Sequence, residues 1–162
     1  FVVRVRPPCS PRKLNRMKGL KIVILGLLMS IAWMMLTTIT MSHLGSDEII
    51  IVNDSVPMVY EPIMYSTFFS CIFAPLWEEA AFRYAPITIA QNAGNQYVIP
   101  VIVISSCTFG WGHGDCIEGV FLQGGLGFIF SFVYLQSGFL ASFTVHALYN
   151  IMVTFGPIWM ID

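Results

Sequence analysis

The sequence predicts an all-α, polytopic transmembrane helical bundle of about five membrane segments, on three observations. Charged residues make up 10% of the chain and hydrophobic residues 56%, whereas a soluble domain carries about 25% charged residues. Apolar runs recur along the chain, separated by short polar or glycine-containing breaks. The basic residues are sorted to one end. Seven of eight (Arg4, Arg6, Arg12, Lys13, Arg16, Lys18 and Lys21) precede residue 22, and Arg83 is the eighth. The positive-inside rule then places the N-terminus in the cytoplasm of an integral membrane protein. A basic cluster that abuts an apolar span and lacks interleaved aromatics argues against a nucleic-acid partner; the partner this composition implies is the lipid bilayer.

The expected organisation is a basic cytoplasmic segment over residues 1–21 and a transmembrane helical domain over residues 22–162. Met17-Lys18-Gly19-Leu20-Lys21 followed by an apolar run looks like a natural N-terminus, so residues 1–16, with Pro7, Pro8 and Pro11, are expected to be a non-native extension or a fragment of something longer. Residues 22–41 are long enough to span the hydrocarbon core and too long for the apolar region of a signal peptide. Residues 42–57 carry Asp47, Glu48 and Asp54 and read as an exterior loop; Asn53-Asp54-Ser55 there is a chance glycosylation sequon. A second span starts near residues 58–63 and runs into Glu78 and Glu79, with a kink expected at Pro75. Residues 91–96 form a polar turn, residues 98–111 a third apolar segment that ends at His113, and Gly114-Asp115-Cys116 a break. A fourth segment covers about residues 119–135, where Gly124, Gly125 and Gly127 permit close helix approach. After a turn at residues 136–138, residues 139–160 make the fifth. The four cysteines (Cys9, Cys71, Cys107 and Cys116) have no ligand spacing and are assigned to packing.

The most informative stretch is Trp77-Glu78-Glu79-Ala80-Ala81-Phe82-Arg83, three charges between residues 64–76 and 84–90, which hold none. A charge near the bilayer centre costs about 2.5 to 3.5 kcal/mol on insertion scales and marks a functional candidate. Glu79 and Arg83, four apart on a helix, can neutralise each other; Glu78 is left over. Two histidines also lie in apolar segments. His113 follows Phe109 by four residues, and His146 precedes Asn150 by four, so each pair shares a helix face. The plainer readings are an interfacial histidine for His113 and interhelical hydrogen bonding for His146 and Asn150. His43 sits at a loop edge, and Asp115 and Glu118 flank a turn. A carboxylate can act as general base towards water, and imidazole and amide groups can polarise a carbonyl or stabilise an oxyanion. Glu78, His113 and His146 are also the ligand set of a hydrolytic zinc site with an open fourth position. Both readings give hydrolysis, and only the second uses a divalent metal.

Glu78-Glu79-x-x-x-Arg83, Phe109-x-x-x-His113 and His146-x-x-x-Asn150, in that order, resemble the three motifs of the CPBP family, the CAAX-protease and bacteriocin-processing (Abi) group of intramembrane proteases. Ala74-Pro75, Phe82 and Phe109-Gly110 agree with it, over a core of about residues 60–155. The resemblance implies an intramembrane endopeptidase acting on a membrane-associated peptide or protein, such as a bacteriocin or leader peptide or a prenylated C-terminus. It implies that Glu78 activates water with His113, that His146 and Asn150 stabilise the oxyanion, and that Glu79, Arg83 and Phe109 support the site, by a glutamate-dependent or a metal-dependent route. Tyr84 departs from the pattern, since many members have glycine after the arginine.

Other classes are weighed against this one. Gly112-His113-Gly114-Asp115 spells the GxGD motif of aspartyl intramembrane proteases, but no second aspartate lies between Asp54 and Asp115. A non-catalytic bacteriocin self-immunity protein is the first alternative and a small transporter the second. One tension concerns depth. With simple alternation of spans, Glu78 lies about 22 Å inward from residue 63 and His113 about 24 Å outward from residue 97, at ~1.5 Å per residue, and these depths do not match.

Overall fold

A computed structural model of the chain describes residues 16–43, 67–113 and 116–155. Five helices account for nearly all of them, with no strand among the described residues. Helix α1 is Arg16–His43. Helix α2 is one continuous helical run from residue 67 to Ala93, made of a π-helical turn at Phe69–Phe73, a regular stretch at Ala74–Glu79, a second π-helical turn at Ala80–Tyr84 and a regular stretch at Ala85–Ala93. Helix α3 is Val98–Trp111, α4 is Cys116–Ser137 and α5 is Phe139–Phe155. Residues 1–15 of the expected basic segment, residues 44–57 of the exterior loop with its sequon, the start of the second span, Asp115 and the end of the fifth segment lie outside the described residues, while residues 16–21 and 42–43 are the two ends of α1.

The third segment has the expected bounds, and the others differ by a few residues where their ends are described. The turn expected at residues 136–138 shrinks to Gly138 alone, whose φ of +84° is accessible to glycine without a Cβ penalty. Pro75, where a kink is expected, follows a π-turn and does not end the helix. Backbone angles stay helical on both sides of it, as they do at Pro86, so neither proline ends the helix. A proline has no N–H to give to the preceding turn, and here each follows a π-turn that takes up the mismatch. The carbonyls so released are taken by side chains of other helices: Ser70 O accepts from Asn150 Nδ2 at 2.9 Å, and Phe82 O accepts from Ser105 Oγ.

Because α2 continues to Ala93, the depth mismatch disappears. Glu78 lies 15 residues before Ala93 and His113 lies 15 after Val98, about 22 Å each at ~1.5 Å per residue. Both stand at the same height above the turn that joins α2 to α3.

Helices α2 to α5 alternate in direction along the chain, and α1 runs antiparallel to α4 and parallel to α5, facing both at Gly26. Along α1 and α4, Gly26 faces Val133 while Trp33 Nε1 donates to Leu122 O at 2.9 Å. Along α3 and α4 the contact is backbone on backbone: a Cβ on Gly110 would stand 2.5 Å from Gly119 O, and one on Gly124 3.1 Å from Ser106 O. Small residues thus set this crossing, as in membrane helix pairs. Leu126, Ile129, Phe130, Val133 and Val145 form an apolar core between α4 and α5. Polar side chains are also buried, among them Ser30, Glu79, Arg83, Ser106, Ser131, Ser142 and His146, while Leu28, Phe73, Trp77, Ile89, Ile104 and Leu140 are exposed. Two helices, over Met17–Thr40 and Ile117–Ser137, are long and apolar enough to cross a membrane.

Candidate active site

The regular turn Ala74–Glu79, between the two π-turns, carries the double glutamate. Glu79 points into the bundle and Arg83 follows it one turn later; both are fully buried. Arg83 Nη1 lies 3.4 Å from Glu79 Oε1, too far for a good hydrogen bond but close enough for an ion pair. The guanidinium makes up for this with aromatic faces, its Cζ standing 4.2 Å from the Phe109 ring centroid and 5.4 Å from that of Phe130. A planar, weakly hydrated cation is suited to such stacking.

Glu79 is then the hub of a buried network. Its Oε1 accepts from His146 Nδ1 at 2.9 Å, and its Oε2 accepts from Ser142 Oγ, which also lies 2.9 Å from Phe130 O. Phe130 stacks on the His146 ring with centroids 4.4 Å apart, so the imidazole is held at its edge and its face.

Glu78 lies on the more open side of α2. Its side chain is 17% exposed, between the half-open His113 at 34% and the closed His146 at 4%. Glu78 Oε1 is 3.3 Å from His113 Nε2, and Oε2 is 3.4 Å from His146 Nε2. The two rings share a tautomeric constraint. His113 Nδ1 is 2.7 Å from Phe109 O, which can only accept, and His146 Nδ1 faces the Glu79 carboxylate. Both Nδ1 atoms therefore carry protons, and both Nε2 atoms are turned towards Glu78. In a neutral ring Nε2 is a lone pair; in a protonated ring it is a donor. Three proton-exchanging groups, two nitrogens and a carboxylate, meet at one point.

Glu78, Glu79, Arg83, Phe109, His113 and His146 all meet in this cluster, and Asn150 lies beside it. Phe109 is 1% exposed and packs edge-on to Phe82 and against His113 and His146. Asn150 shares the His146 face, but its amide donates to Ser70 O in the first π-turn; the second amide N–H remains to be used. Tyr84, where the resemblance leads one to expect glycine, is 54% exposed and meets Phe139 edge-on, so it does not enter the helix contacts around the site. Ser142 and Phe130 were not legible as site residues. Ser142 had a signal, being four residues before His146 on the stripe Ser142, His146, Asn150; nothing distinguishes Phe130 from the other aromatics of α4.

The zinc reading can be tested on the donor set. Glu78 presents a different oxygen to each imidazole, and among the described residues no group of three or more His, Cys, Asp or Glu is disposed to hold a metal ion.

A helical membrane protein with a buried carboxylate–imidazole network and a partly open Glu78 is the class that fold and site define. The family model described as type II CAAX prenyl endopeptidase Rce1-like matches residues 60–152, which include α2 to α4 and most of α5. The chain belongs to this Rce1-like family of CAAX intramembrane proteases. No curated protein and no solved structure matches the chain.

Proposed function

We propose that the chain is a glutamate-dependent intramembrane endopeptidase in which Glu78 is the general base. The observation that carries this reading is the convergence of the Glu78 carboxylate with two imidazole Nε2 atoms at 3.3 and 3.4 Å, on the open edge of an otherwise sealed network. Glu78 takes a proton from water as its oxygen attacks the scissile carbonyl, and His113 positions that water. The new oxyanion is met by His146, protonated at Nε2 with Glu79 balancing its charge, and by the second amide N–H of Asn150. Glu78 then returns the proton to the leaving amine as the C–N bond breaks. Glu79 and Arg83 do not touch substrate; they set the tautomer and angle of His146. The substrate is a peptide or protein at the membrane, with a prenylated C-terminus, as the family description names, the first to be tried.

The test is cleavage of a farnesylated peptide and its unmodified counterpart by membranes holding wild type or Glu78→Gln at matched amounts. Loss of a general base reduces turnover by about 10²-fold or more, so Glu78→Gln is expected to accumulate normally and to cleave at or below that fraction. Equal cleavage by both proteins would overturn the reading. Turnover is expected to survive a chelator; loss with recovery on adding zinc would move the attacking water to a metal.

A further inference from the structure

We propose that Ser142 is a positioning residue for the reaction: its hydroxyl keeps the Glu79 carboxylate on His146 and away from Arg83. This deepens the peptidase reading and rests on it. The hydroxyl stands where three helices meet. Ser142 is fully buried on α5, four residues before His146. Its Oγ donates to Glu79 Oε2 on α2 and lies 2.9 Å from Phe130 O on α4. The other carboxylate oxygen, Oε1, accepts from His146 Nδ1 at 2.9 Å. Serine and histidine, a turn apart on one helix face, thus take one oxygen each.

Arg83 is the rival for both oxygens. Its guanidinium is a rigid fork that matches a carboxylate with two parallel N–H bonds. Yet Nη1 stands 3.4 Å from Glu79 Oε1, and Nε, Nη1 and Nη2 have no hydrogen-bond partner among the described residues. A buried donor left unpaired is costly, so the fork draws the carboxylate and something must hold it off. The guanidinium is itself fixed, stacked on Phe109 at 4.2 Å and set against Gly127, where a Cβ would come within 3.1 Å of Nη2. Glu79 is the partner that can move. With Oε1 on His146 and Oε2 on Ser142 its carboxylate is held at two points. Without the hydroxyl one point remains, and rotation brings Oε2 onto Arg83 and draws Oε1 off His146 Nδ1. His146 cannot follow, because Phe130 stacks on its face at 4.4 Å and Phe109 meets it at an interplanar angle of 87°. Its Nε2 lies 3.4 Å from Glu78 Oε2, so the ring proton passes from Nδ1 to Nε2 and bonds the Glu78 carboxylate. The general base is then occupied. Phe130 O keeps a donor throughout, since it lies within α4 and the helix supplies its N–H.

Ser142→Ala in the full chain tests this, first by two measurements that need no activity. Tautomers are read by nitrogen NMR of isotope-labelled histidine in detergent at alkaline pH, where imidazoles are neutral, with His146 assigned from the signals lost in His146→Gln. Wild type is expected to carry the His146 proton on Nδ1 and Ser142→Ala to carry it on Nε2; the same tautomer in both overturns the proposal. The thermal midpoint of Ser142→Ala is expected to stay within about 3 °C of wild type, because Glu79 exchanges one partner for another. A larger fall means that Ser142 serves stability alone, and overturns the proposal. In the farnesylated-peptide assay, kcat is expected to fall by about tenfold or more, as for a displaced catalytic group. KM should stay within about twofold, since Ser142 does not touch substrate. A smaller fall in kcat, or a change confined to KM, overturns the proposal. Arg83→Leu removes the rival, so adding Ser142→Ala to it should change kcat by about twofold or less, as coupled neighbours require; a larger loss overturns the competition. If wild type cleaves no more than Glu78→Gln, the peptidase reading fails, and the spectra still decide what Ser142 holds in place.

Discussion

Arg83 shows how much the site depends on one residue that never meets substrate. It is fully buried, its ion pair with Glu79 spans 3.4 Å, and its guanidinium nitrogens find no hydrogen-bond acceptor among the described residues. What holds it is charge balance and the faces of Phe109 and Phe130. Removing one partner of a buried pair typically costs about 3–5 kcal/mol, whereas replacing both with apolar groups is far milder. Arg83→Leu is therefore expected to destabilise the protein by that order, seen as a lower thermal midpoint in detergent, and Glu79→Leu/Arg83→Leu to recover part of the loss. The double variant should not cleave, because His146 loses the Glu79 carboxylate that sets its tautomer; Arg83→Leu keeps that carboxylate and should retain more cleavage than the double variant. Arg83→Lys keeps the charge but not the planar stacking, and should recover less stability than a pure charge account requires. A full recovery with lysine would show that the aromatic faces contribute nothing. These residues were legible in different degrees. Charges in apolar runs stand out in any membrane sequence, so Glu78, Glu79, Arg83, His113 and His146 were found. Ser142 and Phe130 act through local contacts that apolar surroundings conceal.

At the scale of the element, α2 is organised by a feature that recurs eleven residues apart. Ala74-Pro75 and Ala85-Pro86 each follow a π-turn, and each π-turn offers a carbonyl to another helix. The sequence shows Pro75 as an expected kink but not the bonds that replace its missing N–H, since these come from another helix. The helix stays continuous to Ala93, which brings Glu78 and His113 to one height, while α3, with a proline only in its first turn, has the bounds its apolar run predicts. The arrangement makes a thermodynamic cycle testable. Ser105→Ala leaves Phe82 O without its donor, at about 1–3 kcal/mol for an unsatisfied buried group. Pro86→Ala adds an N–H four residues after Phe82, in position to serve the same carbonyl. The double variant is expected to be more stable than the sum of the single effects, by 0.5 kcal/mol or more as coupled neighbours usually show; strict additivity would refute the link. A second element-level expectation concerns α3 against α4. Gly110→Ala would push a methyl group to 2.5 Å from Gly119 O and 2.6 Å from Gly124 N. No side chain can yield there, so the helices must part, and the variant should fail to accumulate at wild-type levels on a blot of membranes.

For the whole molecule, the distribution of side chains is reversed relative to a water-soluble bundle: serines and an ion pair are buried, and large apolar groups face outward around every helix. A surface of that kind is stable only where the surrounding medium is itself apolar, since exposed hydrophobic area of this extent drives association in water. Leu28 tests this. It lies at the middle of the Met17–Thr40 span and is 58% exposed. On a water-facing helix, Leu28→Lys would alter stability by about 0.5 kcal/mol at most. In a bilayer, the same charge at mid-depth costs about 2.5 to 3.5 kcal/mol, roughly a hundredfold in the insertion equilibrium. Ile39, near the end of the same span and 55% exposed, provides the control, because a lysine there can extend its ammonium to the interface. Leu28→Lys is expected to deplete the membrane fraction strongly and Ile39→Lys only slightly, as measured by fractionation and blot. Equal recovery of the two variants would mean that α1 faces water. The cytoplasmic placement expected for the N-terminus would then lose its basis, because the positive-inside rule applies only to a helix that crosses the bilayer.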